Sequence, residues 1–236
     1  MGHMETAWGD TIHSLFAPLH YAPRYPYPLI VWLHGLHGDE RHLLRIMPLL
    51  SMQNYVAIGP RGMEVAADGE GRSGYGWGQS DDHIQQAEQR VFDSIEIAGK
   101  KLHVGPQRVF LAGFDCGGSM ALRVAMRHPE RFAGVLSLCG SLPTGGTLLA
   151  NLAAVRRLPV FVAVGRDSLE YPQTQVCDDL RLLYSAGMPV TLRQYPCGHE
   201  LAPQMLLDVN RWIIEQITAP GDSTADPNRR GSFRLE

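Results

Sequence analysis

The residues with the most chemical potential in this 236-residue chain lie in Arg108-Val109-Phe110-Leu111-Ala112-Gly113-Phe114-Asp115-Cys116-Gly117-Gly118. An apolar run ends at Gly113, a glycine pair follows Cys116, and a carboxylate stands between them. The pattern predicts a strand, a sharp turn and a helix start, a geometry in which a strained backbone pushes one side chain into a site. An aspartate at that apex is ionised at neutral pH and needs no base in order to attack. Its natural electrophile is saturated carbon, because attack on an ester carbonyl gives a mixed anhydride from a poor nucleophile.

Other stretches supply the partners such a site needs. Leu33-His34-Gly35-Leu36-His37-Gly38-Asp39-Glu40 follows an apolar run, and a glycine-containing turn there presents backbone N–H groups outward. The main-chain N–H groups of Leu36 and Cys116 are the expected pair of donors for an oxyanion hole. The same segment also reads as a plain turn into a helix with Asp39 as N-cap. Asp167 lies in Gly165-Arg166-Asp167-Ser168, just past another apolar run, where a carboxylate orients an imidazole; Glu170 is a substitute, and a helix N-cap is the plainer role for Asp167. His199, in Pro196-Cys197-Gly198-His199-Glu200, completes the order nucleophile, acid, histidine. With Asp115 and Asp167 on either side, His199 is expected to favour imidazolium. Leu36, Trp77, Leu142 and Tyr171 are the expected pocket wall, and Trp77, Leu142 and Tyr171 the substrate-binding residues. No histidine pair has metal-ligand spacing, so neither a metal nor another cofactor is expected.

The elements that position these residues follow from apolar periodicity. Strand-like runs fall at 28–34, 55–59, 108–112, 134–139, 159–164 and 189–195, and helical patterns at 39–52, 82–102, 118–128, 173–186 and 202–217. This alternation predicts an α/β fold with a mostly parallel sheet and helices on both faces. A strand within 12–20 is expected to lie antiparallel at one edge. The segment 63–80, with Gly74-Tyr75-Gly76-Trp77-Gly78, reads as a long loop, and 219–236 as a disordered tail. Residues 1–10 read as a flexible start or cloning scar, leaving 11–218 as one domain.

Composition limits the partners. The formal net charge is −3 and no basic cluster occurs, so nucleic acid and anionic membrane surfaces are not expected and a small molecule is. No membrane-length apolar run and no signal-peptide pattern is present, which points to a cytoplasmic protein. The four cysteines are sparse and read as reduced thiols. Oligomeric state leaves no trace in the sequence.

Taken together, LHGLHGDE, Pro60-Arg61-Gly62, LAGFDCGGSMAL at 111–122, Asp167 and Gly198-His199-Glu200 resemble the phospholipase/carboxylesterase family of α/β-hydrolases. These small esterases include the acyl-protein thioesterases, and the likeness runs over about 28–217. It implies the α/β-hydrolase fold without a cap domain and Asp115, Asp167 and His199 as the catalytic set. Family members usually read G-F-S-Q-G-G at the elbow; this chain departs at Asp115 and Cys116. G-F-D-C-G is also similar to the elbow of haloalkane dehalogenases and epoxide hydrolases. Those enzymes add a cap domain, and dehalogenases carry Trp where Cys116 stands; Tyr75 and Trp77 are the substitute donors here. Ser119, in Gly117-Gly118-Ser119-Met120-Ala121, is an alternative nucleophile set four residues past the elbow. Three classes compete: a hydrolase of small esters, an aspartate-nucleophile hydrolase of haloalkanes or epoxides, and an inactive descendant that binds a ligand or serves as a scaffold.

Overall fold

The computed structural model describes residues 12–145 and 152–218. The expectations for residues 1–10 and 219–236 lie outside the described residues. The chain runs through β1 (His13–Phe16), β2 (Tyr27–Leu33), α1 (His42–Leu50), β3 (Val56–Pro60), β4 (Met63–Val65), β5 (Gly74–Gly76), α2 (Asp81–Lys101), β6 (Val104–Phe114) and α3 (Cys116–Arg127). It continues through β7 (Gly134–Leu138), α4 (Leu152–Val155), β8 (Val160–Gly165), α5 (Gln173–Ser185), β9 (Val190–Tyr195) and α6 (Pro203–Thr218).

Seven strands form one sheet in the order β1-β3-β2-β6-β7-β8-β9. β1 is antiparallel to β3 at the edge, and every other neighbour is parallel. A parallel sheet must be covered on both faces, and the strands are composed for that: all residues of β2, β3, β7 and β8 are buried. The period of two along each strand divides the apolar side chains between two cores. Leu29, Val31 and Leu33 join Val109, Leu111, Val160 and Val162 beneath α2, α3 and α5. Ile30 and Trp32 join Phe110, Leu136 and Phe161 beneath α1 and α6. The α/β-hydrolase architecture is therefore present, and among the described residues no cap domain interrupts it.

The helices carry their own start and stop signals. α2 begins at Ser80, whose hydroxyl accepts the His83 N–H, with Asp81 and Asp82 in the first turn and Lys100 and Lys101 in the last, each complementing the helix dipole. α1 starts three residues later than its apolar pattern, because Asp39 first accepts the Arg41 N–H in a turn. Within 63–80, expected to be loop throughout, β4 and β5 pair antiparallel, Met63 with Gly76 and Val65 with Gly74. Strands this short leave no periodic signal. Two glycines at this hairpin are required by close approach: a Cβ on Gly74 would meet the His37 backbone, and one on Gly62, just before β4, the Gly76 backbone.

The strand-to-helix turn after β6 depends most strictly on glycine. A Cβ on Gly117 would press on the carbonyl oxygens of Leu33 and His34 at the end of β2, where the chain cannot yield locally. Gly117→Ala should cost about 2–3 kcal/mol in urea unfolding, as overpacking against backbone does. Gly99→Ala, on the exposed side of α2 with open space at its Cβ, should stabilise by about 0.5–1 kcal/mol.

Candidate active site

Strand ends deliver the site, as parallel sheets do at their carboxyl edges. β6 ends in Phe114, and Asp115 then turns the chain into α3 with φ 52° and ψ −125°. A positive φ at a non-glycine residue costs energy, which the surrounding packing supplies. The turn aims Asp115 into a cleft of about 320 Å³ that Trp77, Cys116, Leu142, Glu170, Tyr171 and His199 help to line.

The Asp115 carboxylate is engaged at both oxygens. Oδ2 accepts the Leu36 N–H at 3.0 Å. Oδ1 lies 3.2 Å from His199 Nε2, but the ring N–H is not aimed along that line, so the contact is a close ion pair rather than a linear hydrogen bond. Both side chains are largely enclosed, Asp115 at 28% and His199 at 14% exposure. Burial opposes ionisation of Asp115 most strongly; the His199 contact and the N–H groups of Leu36 and Cys116 outweigh it and hold the carboxyl below its ordinary value. The Asp115 contact raises the His199 pKa, burial works against it, and the charges of Asp115 and Glu170 add to the rise. Burial and the Asp115 charge push the Cys116 thiol up to about 12, so that residue meets the site through its main chain.

On the other side of the ring the expected arrangement differs. His199 Nδ1 lies 3.0 Å from Ser168 Oγ and 3.9 Å from Glu170 Oε2. Asp167 is not brought to His199: its carboxylate is 58% exposed and pairs with Arg166 at 3.1 Å. The cause is backbone direction. The N–H groups of Arg166 and Asp167 bond to the carbonyls of Tyr195 and Cys197, and the Ser168 N–H to that of Gly165, so the chain leaves β8 in a turn in which Asp167 faces outward. Ser168, buried, takes the inward place.

Trp77, Leu142 and Tyr171 line the cleft; Leu36 stands at the Asp115 carboxylate through its N–H, and the residue as a whole is 52% exposed. The Trp77 indole N–H donates to the His34 carbonyl at 3.0 Å, and Arg61 donates to the Tyr75 hydroxyl at 3.4 Å. The indole donor that a departing halide would need is thus already committed. Ser119 lines the cleft, but the His199 ring contacts Asp115 and Ser168.

Residues to which the sequence reading gave no individual role hold these walls. Arg61 grips Glu40 through two hydrogen bonds of 2.6 and 2.7 Å, and the Gly62 N–H donates to His34 Nε2 at 2.9 Å, fixing the turn that carries Leu36. Buried Asp179 accepts the Leu142 N–H and the Tyr171 hydroxyl, each at 2.8 Å. Arg123 donates to Gln79 and to the carbonyls of Thr144 and Gly145. Among the described residues no group of three or more His, Cys, Asp or Glu side chains is arranged to hold a metal, and no helix is long and apolar enough to cross a membrane.

A mostly parallel sheet, a strained elbow after its central strand and a histidine reaching the elbow residue define an α/β-hydrolase. Residues 22–217 match the phospholipase/carboxylesterase family, and the chain belongs to it. It is 32% identical over 133 residues to NocK of Nocardia uniformis, which carries an esterase name, covering 53% of this chain and 38% of that protein. It is 28% identical over 116 residues to acyl-protein thioesterase 1 of Gibberella zeae, covering 48% and 49%. The matched stretch thus spans less than half the length of either relative. The crystal structure of Arabidopsis thaliana SOBER1 shares the fold, with a TM-score of 0.70 at 19% identity over 81% of this chain and all of that one.

The ion pair makes stability depend on pH. Asp115, held low, adds stability above the unfolded carboxyl value of about 3.9 and loses it as pH falls through its lower folded value. His199, held high, adds stability below the unfolded imidazole value of about 6.5 and loses it as pH rises through its higher folded value. Urea unfolding should find Asp115→Asn less stable than the native protein by about 1–2 kcal/mol near pH 5. The gap should narrow on both sides of that window; a gap independent of pH would contradict the assignment.

Proposed function

We propose that this chain is a hydrolase of the carboxylesterase kind, acting on small acyl esters at the Asp115–His199 pair. The observation that carries the reading is the double engagement of the Asp115 carboxylate, by the Leu36 N–H on one oxygen and His199 on the other. In ester hydrolysis the carbonyl oxygen becomes an oxyanion that backbone N–H groups must hold. Leu36 and Cys116 supply those groups here, and in the resting site the protein's own carboxylate takes the oxyanion's place. Trp77, Leu142 and Tyr171 form the substrate wall. The four free cysteines fit a reducing, cytoplasmic setting.

Turnover in the native chain has a definite proton balance. Asp115 swings Oδ2 away from Leu36 so that the ester carbonyl can enter, and a water attacks the carbonyl carbon while passing its proton to Asp115. His199, as imidazolium, protonates the departing alkoxide, and Asp115 then returns its proton to the ring. Two features make this slow. A carboxylate held below its ordinary pKa is a weak base, and the N–H groups must be vacated before they can serve. The reading of Asp115 as a nucleophile toward haloalkanes or epoxides loses the Trp77 indole as a donor for the leaving group, since that N–H is committed to the His34 carbonyl.

Asp115→Ser removes the anion from the N–H groups, offers His199 a hydroxyl and lowers the imidazole pKa so that it can act as a base. Hydrolysis of 4-nitrophenyl acetate should be slow but measurable in the native protein and at least about tenfold faster in Asp115→Ser, within the range that one placed general base provides. Buffer-level rates in both proteins would overturn the proposal.

A further inference from the structure

We infer that Ser168 is the residue that positions His199, and that hydroxyl and carboxylate stand exchanged across its imidazole relative to a Ser-His-Asp arrangement. The inference rests on the reading of the site as an esterase site. In such a triad a hydroxyl faces Nε2 and a buried carboxylate faces Nδ1, holding the tautomer and compensating the imidazolium that forms. Here the carboxylate of Asp115 faces Nε2 at 3.2 Å, and the hydroxyl of Ser168 faces Nδ1 at 3.0 Å.

Ser168 is built for a fixed position. It is 6% exposed, and its Oγ also accepts the Tyr171 N–H at 3.1 Å, which sets the rotamer against the wall of the cleft. The other groups around the ring do not compete for Nδ1. Glu170 stands at 3.9 Å with its side chain 64% exposed, Asp167 is paired outward with Arg166, and Phe114 offers only its ring, 5.5 Å away between centroids. A hydroxyl at Nδ1 orients the ring but brings no charge, so charge compensation comes chiefly from Asp115 on the Nε2 side, with exposed Glu170 adding from 3.9 Å. A nucleophilic hydroxyl placed at 115 would therefore find a well-oriented base without the carboxylate that supports its protonated form. Restoring both positions should restore the full relay.

The test uses the full chain in two parts. In the Asp115→Ser background, adding Ser168→Asp should raise kcat for 4-nitrophenyl acetate about tenfold or more with little change in KM, since the gain falls on the proton-transfer step. In the native background, nitrogen NMR of His199 should show the Nδ1 signal shifted by Ser168→Ala and restored by Ser168→Thr, which keeps the hydroxyl. Larger shifts from Asp167→Asn or Glu170→Gln, with Ser168→Ala silent, would overturn the inference, as would a double variant no faster than Asp115→Ser. If Asp115→Ser is itself inactive, the esterase reading fails, and the NMR comparison still decides the role of Ser168.

Discussion

The chain can place a carboxylate beside His199 only because the backbone reverses within a few residues after β6, and that reversal requires three strands to come within backbone contact. Asp115 takes up the turn at φ 52°. Gly117 lies against the end of β2, Gly113 against Gly117, and Gly140, after β7, against the Asp115 carbonyl. Each of these contacts leaves no room for a Cβ, so the turn is a junction of β2, β6 and β7 rather than a local loop. Strain at Asp115 persists because the packed sheet around it cannot relax. The same junction brings Leu36, at the end of β2, within hydrogen-bond reach of Asp115 Oδ2, so fold and site share one constraint.

Around that junction the polar networks act mainly as struts. The Glu40 carboxylate is wholly buried and meets Arg61 in a two-point contact, a geometry whose desolvation cost consumes much of its attraction. What it secures is direction: the turn between β2 and α1 is held from below, and His34 joins it to Gly62. Asp179 does the same for the opposite wall, where one carboxylate oxygen ties the segment after β7 to the segment after β8. These ties let exposed loops carry a site with defined distances.

Much of this was legible in the sequence where physical demands are local. Runs such as Leu29 to Leu33 announced buried parallel strands, and the apolar end at Gly113 with the Gly117-Gly118 pair announced the elbow. His199 could be placed because it falls in the connection between the last strand and the last helix. Other features depend on chain segments distant in sequence. Glu40 and Arg61 meet across 21 residues, and Tyr171 and Asp179 meet on a face that no pattern marks. The hairpin of β4 and β5 is too short to show a period. The reading that set Asp167 beside His199 missed by one residue: residue type favoured the carboxylate, while the turn after β8 leaves Asp167 exposed and buries Ser168 at the ring.

The Asp115–His199 ion pair is the resting state from which the proposed esterase chemistry starts. Proton NMR titration of His199 in the native chain tests it most directly, since Asp115 and Glu170 both act on the ring from within the cleft. A midpoint above the ordinary histidine value of about 6.5 is expected. A midpoint at or below that value would contradict it.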